Sequence, residues 1–193
     1  PGYSLRLEPG VTTVASRLKQ AGYRTYMTGK WHLGHGPGDL PNHHGFDRSF
    51  VLDASGADNW EQKPYMPHYR EAPWFEDGEP ADLPDDFYSS KFVVDRMIDY
   101  LETGRDDPAP FFAWVAFQAV HIPVQTPREI TAGYAGRFDA GWERLREERW
   151  QRAKQLGIIP ADAPLAPLPE SLRAWDDLAP DERAKYAQAM AVY

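Results

Sequence analysis

An almost unbroken run of apolar and aromatic residues extends from Pro110 to Gln118. The run is too short for a transmembrane helix, which needs roughly 18 to 20 apolar residues. It also lacks the alternating polar residues of a strand that faces water on one side. We therefore expect Pro110 to Gln118 to form a central parallel strand, covered on both faces, in an α/β fold.

A first αβ unit lies near the start of the chain. Apolar residues at helical spacing predict a helix from Val11 to Ala21, and Gly22 stands where a helix ends. The β-rich segment from Tyr23 to Thr28 predicts a strand. The unit ends in Lys30 and His32, and ligands of open α/β sheets gather at the carboxyl ends of strands.

A second αβ unit contains the apolar run. The helix before it begins at Ser89, has one apolar face, and has Gly104 just past its end. The run leads directly to His121, and Pro123 restricts the residue before it to extended conformations. The second unit therefore ends in a histidine, as the first ends in a lysine and a histidine.

The remaining segments are a long loop and a helical excursion. Residues 53–87 are rich in proline and aromatic residues and have no clear period, which predicts a packed loop that faces a substrate. Beyond Pro127 the pattern becomes helical and charged, so we expect a helical excursion over residues 128–193. The length of 193 residues corresponds to roughly one domain.

Charge and composition exclude several function classes. A net charge of −8 argues against nucleic-acid binding, which needs a basic surface. No segment is apolar enough for a membrane anchor, and the first residues do not resemble a signal peptide. The chain has no cysteine, which excludes thiolate metal sites and leaves the cellular compartment open.

Lys30 and His32 stand two positions apart, so in an extended loop both side chains can face one ligand. An ammonium suits a tetrahedral oxyanion, and a histidine can donate to it or move a proton near neutral pH. From spacing alone a solvated lysine and a loop histidine bonded to the backbone are the stronger interpretation. For His121 the equivalent alternative is a histidine at the edge of the core, bonded to a carbonyl.

Zinc binding is a further alternative, because imidazole is a common zinc ligand. The sequence has no His-Glu-x-x-His motif, no cysteine, and no carboxylate at a helical offset from its clustered histidines. Zinc binding by His32, His35, His43 and His44 is therefore disfavoured, and we expect His43 and His44, next to Gly45-Phe46, to line or shape the loop.

The segment from Ala21 to Gly34 resembles the second sulfatase signature, in which a Gly-Tyr strand leads into Gly-Lys-Trp-His. Gly45-Phe46-Asp47, and then Pro110 to Ala113 leading to His121-Ile122-Pro123, look like the next two landmarks of the same family in the same order. With Gln125 to Ile130 and the charged helices beyond, essentially the whole chain resembles bacterial type I arylsulfatases of the Pseudomonas type.

The resemblance implies an alkaline-phosphatase-like α/β sandwich with a mixed, largely parallel sheet flanked by helices. Residues 1–193 would be the central part of a single sulfatase catalytic domain. The implied reaction is hydrolysis of a small-molecule sulfate ester of an aryl or bulky alkyl alcohol, with a calcium ion and a formylglycine. By resemblance, Lys30 binds the sulfate and the formylglycine hydrate, His32 takes a proton from the hydrate, and His121 contacts the sulfate and assists the leaving alcohol.

Other parts of the family pattern have no counterpart here. The Cys/Ser-x-Pro-x-Arg motif that yields formylglycine is missing, and Asp85-Asp86 and Asp176-Asp177 stand in the wrong context for calcium ligands. We therefore expect the nucleophile to precede Pro1 and the remaining calcium ligands and second lysine to follow Tyr193. This chain would hold no metal ligand and would be inactive alone. Phosphonate or phosphodiester hydrolysis by the same nucleophile, or a catalytically dead anion-binding module, are the alternatives.

Overall fold

The computed structural model describes residues 5–193. The chain divides into two compact units, the first ending at Gln125 and the second covering Thr126–Tyr193. The helices are α1 (Val14–Gln20), α2 (Ser89–Thr103), α3 (Arg128–Ala132), α4 (Gly141–Gln155) and α5 (Pro180–Val192). The strands are β1 (Arg24–Lys30), β2 (Arg48–Leu52), β3 (Trp74–Glu76), β4 (Glu79–Pro80) and β5 (Phe111–Ala116).

The five strands form one mixed sheet with the order β4-β3-β2-β1-β5. Strand β1 is parallel to both of its neighbours, whereas β3 and β4 pair antiparallel. Lys30 lies opposite Leu52, and Gly29 lies opposite Ala116. The segments that follow β1, β2 and β5 therefore emerge side by side at one edge of the sheet.

Each face of the sheet packs against one helix. On one face, Val93 and Met97 of α2 pack in a core cluster with Phe50 and Leu52 of β2. On the other face, Ala15 of α1 packs with alternate strand residues, Met27 and Val51. Because successive strand residues point to opposite faces, these two clusters fix the register of the parallel strands.

The apolar run forms strand β5, but the predicted central position is wrong for the described part of the chain. Within residues 5–193, β5 pairs only with β1 and lies at the sheet edge. Phe111 and Trp114 are 52% and 48% exposed. An apolar run shows that a strand is suited to burial, but it does not identify the residues that cover it.

The span of residues 53–87 is not a continuous loop, because it contains β3 and β4. Trp74 lies opposite Leu52 and Phe75 lies opposite Val51. Trp74 is almost fully buried, in contact with Phe50 and Phe87. Such short strands are defined by their cross-strand partners and not by periodicity, so the sequence pattern did not reveal them.

The second unit contains the helices α3, α4 and α5. Trp142 of α4 packs edge-on against both Trp175 and Tyr186. The indole of Trp175 donates a hydrogen bond to the carbonyl of Asp139 at 3.1 Å. Among residues 5–193, no helix has the length and hydropathy required to cross a bilayer.

Candidate active site

The ends of three parallel strands converge on the hydroxyl group of Ser55. Lys30, the last residue of β1, donates from Nζ to Ser55 Oγ at 2.8 Å. Nε2 of His121, which follows β5, lies 3.2 Å from the same oxygen. Ser55 itself follows β2 and is 8% exposed. The structure therefore brings together two of the three predicted site residues through a third side chain.

Sequence reasoning missed Ser55, because it stands in the aperiodic span of residues 53–87 and belongs to none of the motifs. The signal that would have indicated it is the strand register. Lys30 lies opposite Leu52, so the residues just after Leu52 must lie beside the end of β1. That register was not assigned from the sequence.

The hydrogen bonds of His121 define the direction of donation at the site. Its Nδ1 lies 2.8 Å from the carbonyl oxygen of Ile122, and a carbonyl oxygen only accepts, so Nδ1 carries the hydrogen. In the neutral ring Nε2 is then an acceptor. Lys30 thus donates to Ser55, and Ser55 donates to His121. The bond to a backbone carbonyl, which was the alternative interpretation of His121, therefore occurs together with the contact to Ser55.

His32 lies at the same edge, but not in the extended loop that the spacing argument assumed. Its φ angle of 57° is in the left-handed region, so the chain turns at this residue. Nε2 of His32 is hydrogen-bonded to the phenolic hydroxyl of Tyr69. The extended conformation that the spacing argument assumed is therefore wrong, although Lys30 and His32 still line one cavity.

The electrostatic environment keeps the His32 ring neutral. Burial lowers the pKa of His32 below its ordinary value, and the positive charge of Lys30 lowers it further. The carboxylate of Asp53 opposes both effects by raising this pKa. Burial also lowers the pKa of Lys30. Hydrogen-bond donors and a neutral imidazole, which can accept a proton, therefore occupy one partly buried edge.

Asp53 holds the loop that carries His32. It is 7% exposed and accepts a hydrogen bond from the backbone N–H of Gly34 at 3.1 Å. Its other oxygen lies 2.7 Å from Nδ1 of His35. At the other end of the loop, the indole of Trp31 donates to the carbonyl oxygen of Asp39 at 2.9 Å. These contacts fix the turn at His32.

The other clustered histidines point to separate partners. His35 contacts Asp53 and stacks on Phe75, with ring centroids 5.7 Å apart. His44 stacks on Trp31 at 5.7 Å. Within residues 5–193, no group of three His, Asp or Glu side chains is arranged to hold a metal ion.

Comparison with known proteins places these residues in context. A family model described as Sulfatase matches residues 6–192. An arylsulfatase of Klebsiella aerogenes is 38% identical over 199 aligned residues, which cover 100% of this chain and 41% of that protein. An uncharacterized sulfatase of Schizosaccharomyces pombe is 36% identical, with 100% of this chain and 36% of that protein covered. The chain thus spans less than half the length of these relatives.

Solved structures show the same architecture. The crystal structure of Ps i-CgsB has a TM-score of 0.59 and 22% identity, with 69% of this chain and 32% of that chain covered. A second structure, of Ps i-CgsB in complex with k-i-k-neocarrahexaose, has a TM-score of 0.57 and 22% identity over 64% of this chain and 30% of that chain. The predicted α/β sandwich of the alkaline-phosphatase type, with a mixed sheet flanked by helices, is confirmed.

Proposed function

Because this chain belongs to the sulfatase family, we propose that the complete protein hydrolyses sulfate esters and that this chain supplies part of its active site. The observation that carries the proposal is the convergence of Lys30 and His121 on Ser55 at the carboxyl edge of the parallel strands. An ammonium, a hydroxyl and imidazoles are suited to the tetrahedral, anionic sulfate group. The proposed substrate is a small-molecule ester of an aryl or bulky alkyl alcohol.

The chemistry assigns a separate role to each residue. Lys30 binds the sulfate oxygens, where negative charge increases in the transition state. His32 accepts a proton, because its lowered pKa keeps the ring neutral near neutral pH. In its imidazolium form His121 carries a hydrogen on Nε2 as well as on Nδ1, and in this form it assists the departing alkoxide or phenoxide by donating from Nε2. Ser55 links Lys30 to His121 and keeps Nζ of Lys30 and Nε2 of His121 at a fixed separation.

The family resemblance implies two further groups, a formylglycine and a calcium ion. A formylglycine, when present, supplies a hydrated aldehyde as the nucleophile, and the cationic and neutral donors at Lys30 and His32 fit such an oxygen-rich group. A calcium ion does not fit the described residues, since no three of their His, Asp or Glu side chains are grouped so that they could hold a metal ion. We therefore assign no part of the calcium site to this chain and derive no step from the ion.

The proposal is tested with the complete protein and a nitrophenyl sulfate. Lys30→Ala and His121→Ala should each reduce kcat/KM by roughly 10²- to 10³-fold, the range for removing one preorganised donor. Lys91→Ala and His43→Ala are the matched controls, because both side chains are exposed, and these variants should retain full activity. Turnover within a factor of about three of wild type in either site variant would contradict the assignment.

A second substrate discriminates the related reaction. The complete protein is assayed in parallel on a nitrophenyl phosphonate monoester, which carries the same leaving group. Higher kcat/KM on the phosphonate would assign the site to phosphonate hydrolysis. Absence of turnover on both esters would favour the anion-binding module without catalysis.

A further inference from the structure

The segment that carries His121 is held at both of its ends by the same two neighbouring residues. Gln118 stands just before this segment and Gln125 closes it, and both side chains contact Asp58 or Asn59. We call these four residues the amide clamp: Asp58, Asn59, Gln118 and Gln125. The sequence motifs include Gln125 but did not relate it to Asp58, Asn59 or Gln118, and the proposed reaction does not yet use these four residues.

At the far end of the segment, Gln125 uses both atoms of its amide group. Nε2 donates to Asp58 Oδ2 at 2.8 Å. Oε1 accepts from the backbone N–H of Asn59 at 3.0 Å and from its side-chain nitrogen at 3.2 Å. The amide is thus fixed in one orientation, since a flipped amide would place like groups against each other.

At the near end, Gln118 donates from Nε2 to Asn59 Oδ1 at 2.8 Å and to the carbonyl oxygen of Asp58 at 3.2 Å. The same nitrogen lies 3.2 Å from the hydroxyl of Ser89, which itself donates to Asn59 Oδ1. The backbone carbonyl of Gln118 also accepts from the N–H of His121 at 2.9 Å. This end of the segment is therefore fixed by side-chain and backbone contacts.

The two central residues of the clamp are buried, which increases its rigidity, whereas Gln118 and Gln125 are partly exposed. Asp58 and Asn59 are 5% and 3% exposed. Asp58 also accepts from the backbone N–H of Trp60 at 2.8 Å and from the hydroxyl of Tyr65 at 3.1 Å. Burial by itself raises the pKa of Asp58, but the hydrogen bonds from Gln125 and its other donors outweigh it and lower the pKa. A buried carboxylate with a full set of donors has few alternative arrangements.

The clamp also joins the two sides of the candidate site. Ser55 stands three positions before Asp58 on the same chain segment. Between them, Gly56 lies against the other segment, since a Cβ atom at this position would be 3.1 Å from the carbonyl oxygen of Ile122. Any movement of residues 118–125 relative to residues 55–59 would therefore change the separation of His121 and Ser55.

We propose that Asp58 and Gln125 are positioning residues for the leaving-group step, because they fix His121 relative to Ser55 and Lys30. The proposal rests on the proposed sulfate ester hydrolysis. Neither residue touches the reacting atoms, so each acts through the placement of His121. Replacement of either residue should lower kcat most for the esters whose leaving group most needs assistance.

A polarity swap in the complete protein tests this role. Gln125→Glu places two carboxylates against each other, and Asp58→Asn leaves a donor facing either Gln125 Nε2 or the N–H of Trp60. In the double variant the amide at position 58 donates to the carboxylate at position 125, so the hydrogen bond is reversed and not lost. Asp85→Asn, an exposed acid-to-amide change in the same span, is the matched control.

The kinetic readout is the dependence on the leaving group. Each single variant should lower kcat on phenyl sulfate by about tenfold, equal to one hydrogen bond of about 1.4 kcal/mol, and lower it less on nitrophenyl sulfate. The double variant should regain most of the loss. Equal losses on both esters, or a double variant no better than the single ones, would overturn the proposal, because a merely structural defect lowers the active fraction for every ester alike.

A second readout does not depend on turnover. In the complete protein labelled with ¹⁵N-histidine, the signal of His121, assigned by its loss in His121→Ala, should shift in each single variant and return in the double variant. An unchanged signal in the single variants would overturn the positioning role. Failure of the wild-type protein to hydrolyse either ester, together with the expected pattern of shifts, would reject the proposed function and retain the clamp as the element that positions His121.

Discussion

The ammonium group of Lys30 donates a hydrogen bond to the hydroxyl of Ser55, at a distance of 2.8 Å. The two residues are distant in sequence and become neighbours only because β1 and β2 are parallel and in register. Burial lowers the pKa of Lys30, so the ammonium depends on this acceptor more than an exposed lysine would. Replacement of Ser55, a residue that no sequence motif suggested, therefore tests the candidate site.

Replacement of Ser55 by alanine should weaken turnover without unfolding the protein. The change removes the acceptor for Lys30 and the donor to His121, and a hydrogen bond to a charged group is worth about 1.5 to 3 kcal/mol. We expect kcat/KM on nitrophenyl sulfate to fall by roughly 10- to 100-fold. Ser49→Ala is the control, because the Ser49 hydroxyl is buried without a hydrogen-bond partner among the described residues. A Ser55→Ala protein as active as the Ser49→Ala protein would show that Ser55 has no part in the reaction.

Removal of the Tyr69 hydroxyl should impair His32 specifically. This hydroxyl is the partner of His32 Nε2, and burial raises the pKa of Tyr69, so the phenol remains protonated. Tyr69→Phe keeps the aromatic ring and removes one hydrogen bond of about 1 kcal/mol, which predicts a loss of roughly fivefold in kcat/KM. Tyr23→Phe, at the turn before β1, is the control and should have no effect. Identical rates for the two variants would contradict a role for Tyr69 at the site.

The pH dependence of kcat/KM should change when Asp53 is replaced. The neutral form of His32 accepts the proton in the proposed reaction, so kcat/KM rises with pH as His32 deprotonates. The Asp53 carboxylate raises the pKa of His32, and Asp53→Asn therefore lowers it. We expect the acidic limb of the kcat/KM profile to move to lower pH in Asp53→Asn, measured with nitrophenyl sulfate across about pH 4 to 8.

The groups that surround His32 define the controls for this measurement. The side chains that influence its titration or contact its ring are Lys30, Asp53, His68, Tyr69 and His121. Asp85→Asn removes the same charge from an exposed position and should leave the limb unchanged. A limb that moves to higher pH in Asp53→Asn, or moves equally in both variants, would show that His32 is not the titrating base.

The sequence predicted both αβ units and the residues at their ends, because helical periodicity, glycines at the ends of helices and strands, and apolar runs are local signals. It did not predict that β5 lies at the edge of the described sheet, that β3 and β4 pair with β2, or that Ser55 joins Lys30 to His121. These features depend on pairing between distant segments, which leaves no periodic trace in a single strand. The turn at His32 was missed for a related reason, since its left-handed φ is imposed by the contacts of the loop and not by a glycine.

Gly29 precedes Lys30 in β1 and lies against the backbone of β5. Gly29 has a φ of +100°, and a Cβ atom there would lie only 1.9 Å from the carbonyl oxygen of Ala116 on β5. Gly29→Ala must therefore separate β1 from β5 and displace Lys30. We expect a loss of stability well above the roughly 1 to 2 kcal/mol of the left-handed conformation alone, together with loss of activity.

Gly22 is the matched control for this prediction, because it isolates conformational strain from steric overlap. Its φ of +86° is also in the left-handed region, yet a Cβ atom at this position would meet no atom within 4 Å. Gly22→Ala should therefore cost only the roughly 1 to 2 kcal/mol of strain and keep most of the activity. Thermal unfolding of the two variants beside the wild type measures the difference. Equal melting temperatures for Gly29→Ala and Gly22→Ala would show that the contact with Ala116 does not hold β1 and β5 together, and that Lys30 owes its position to other contacts.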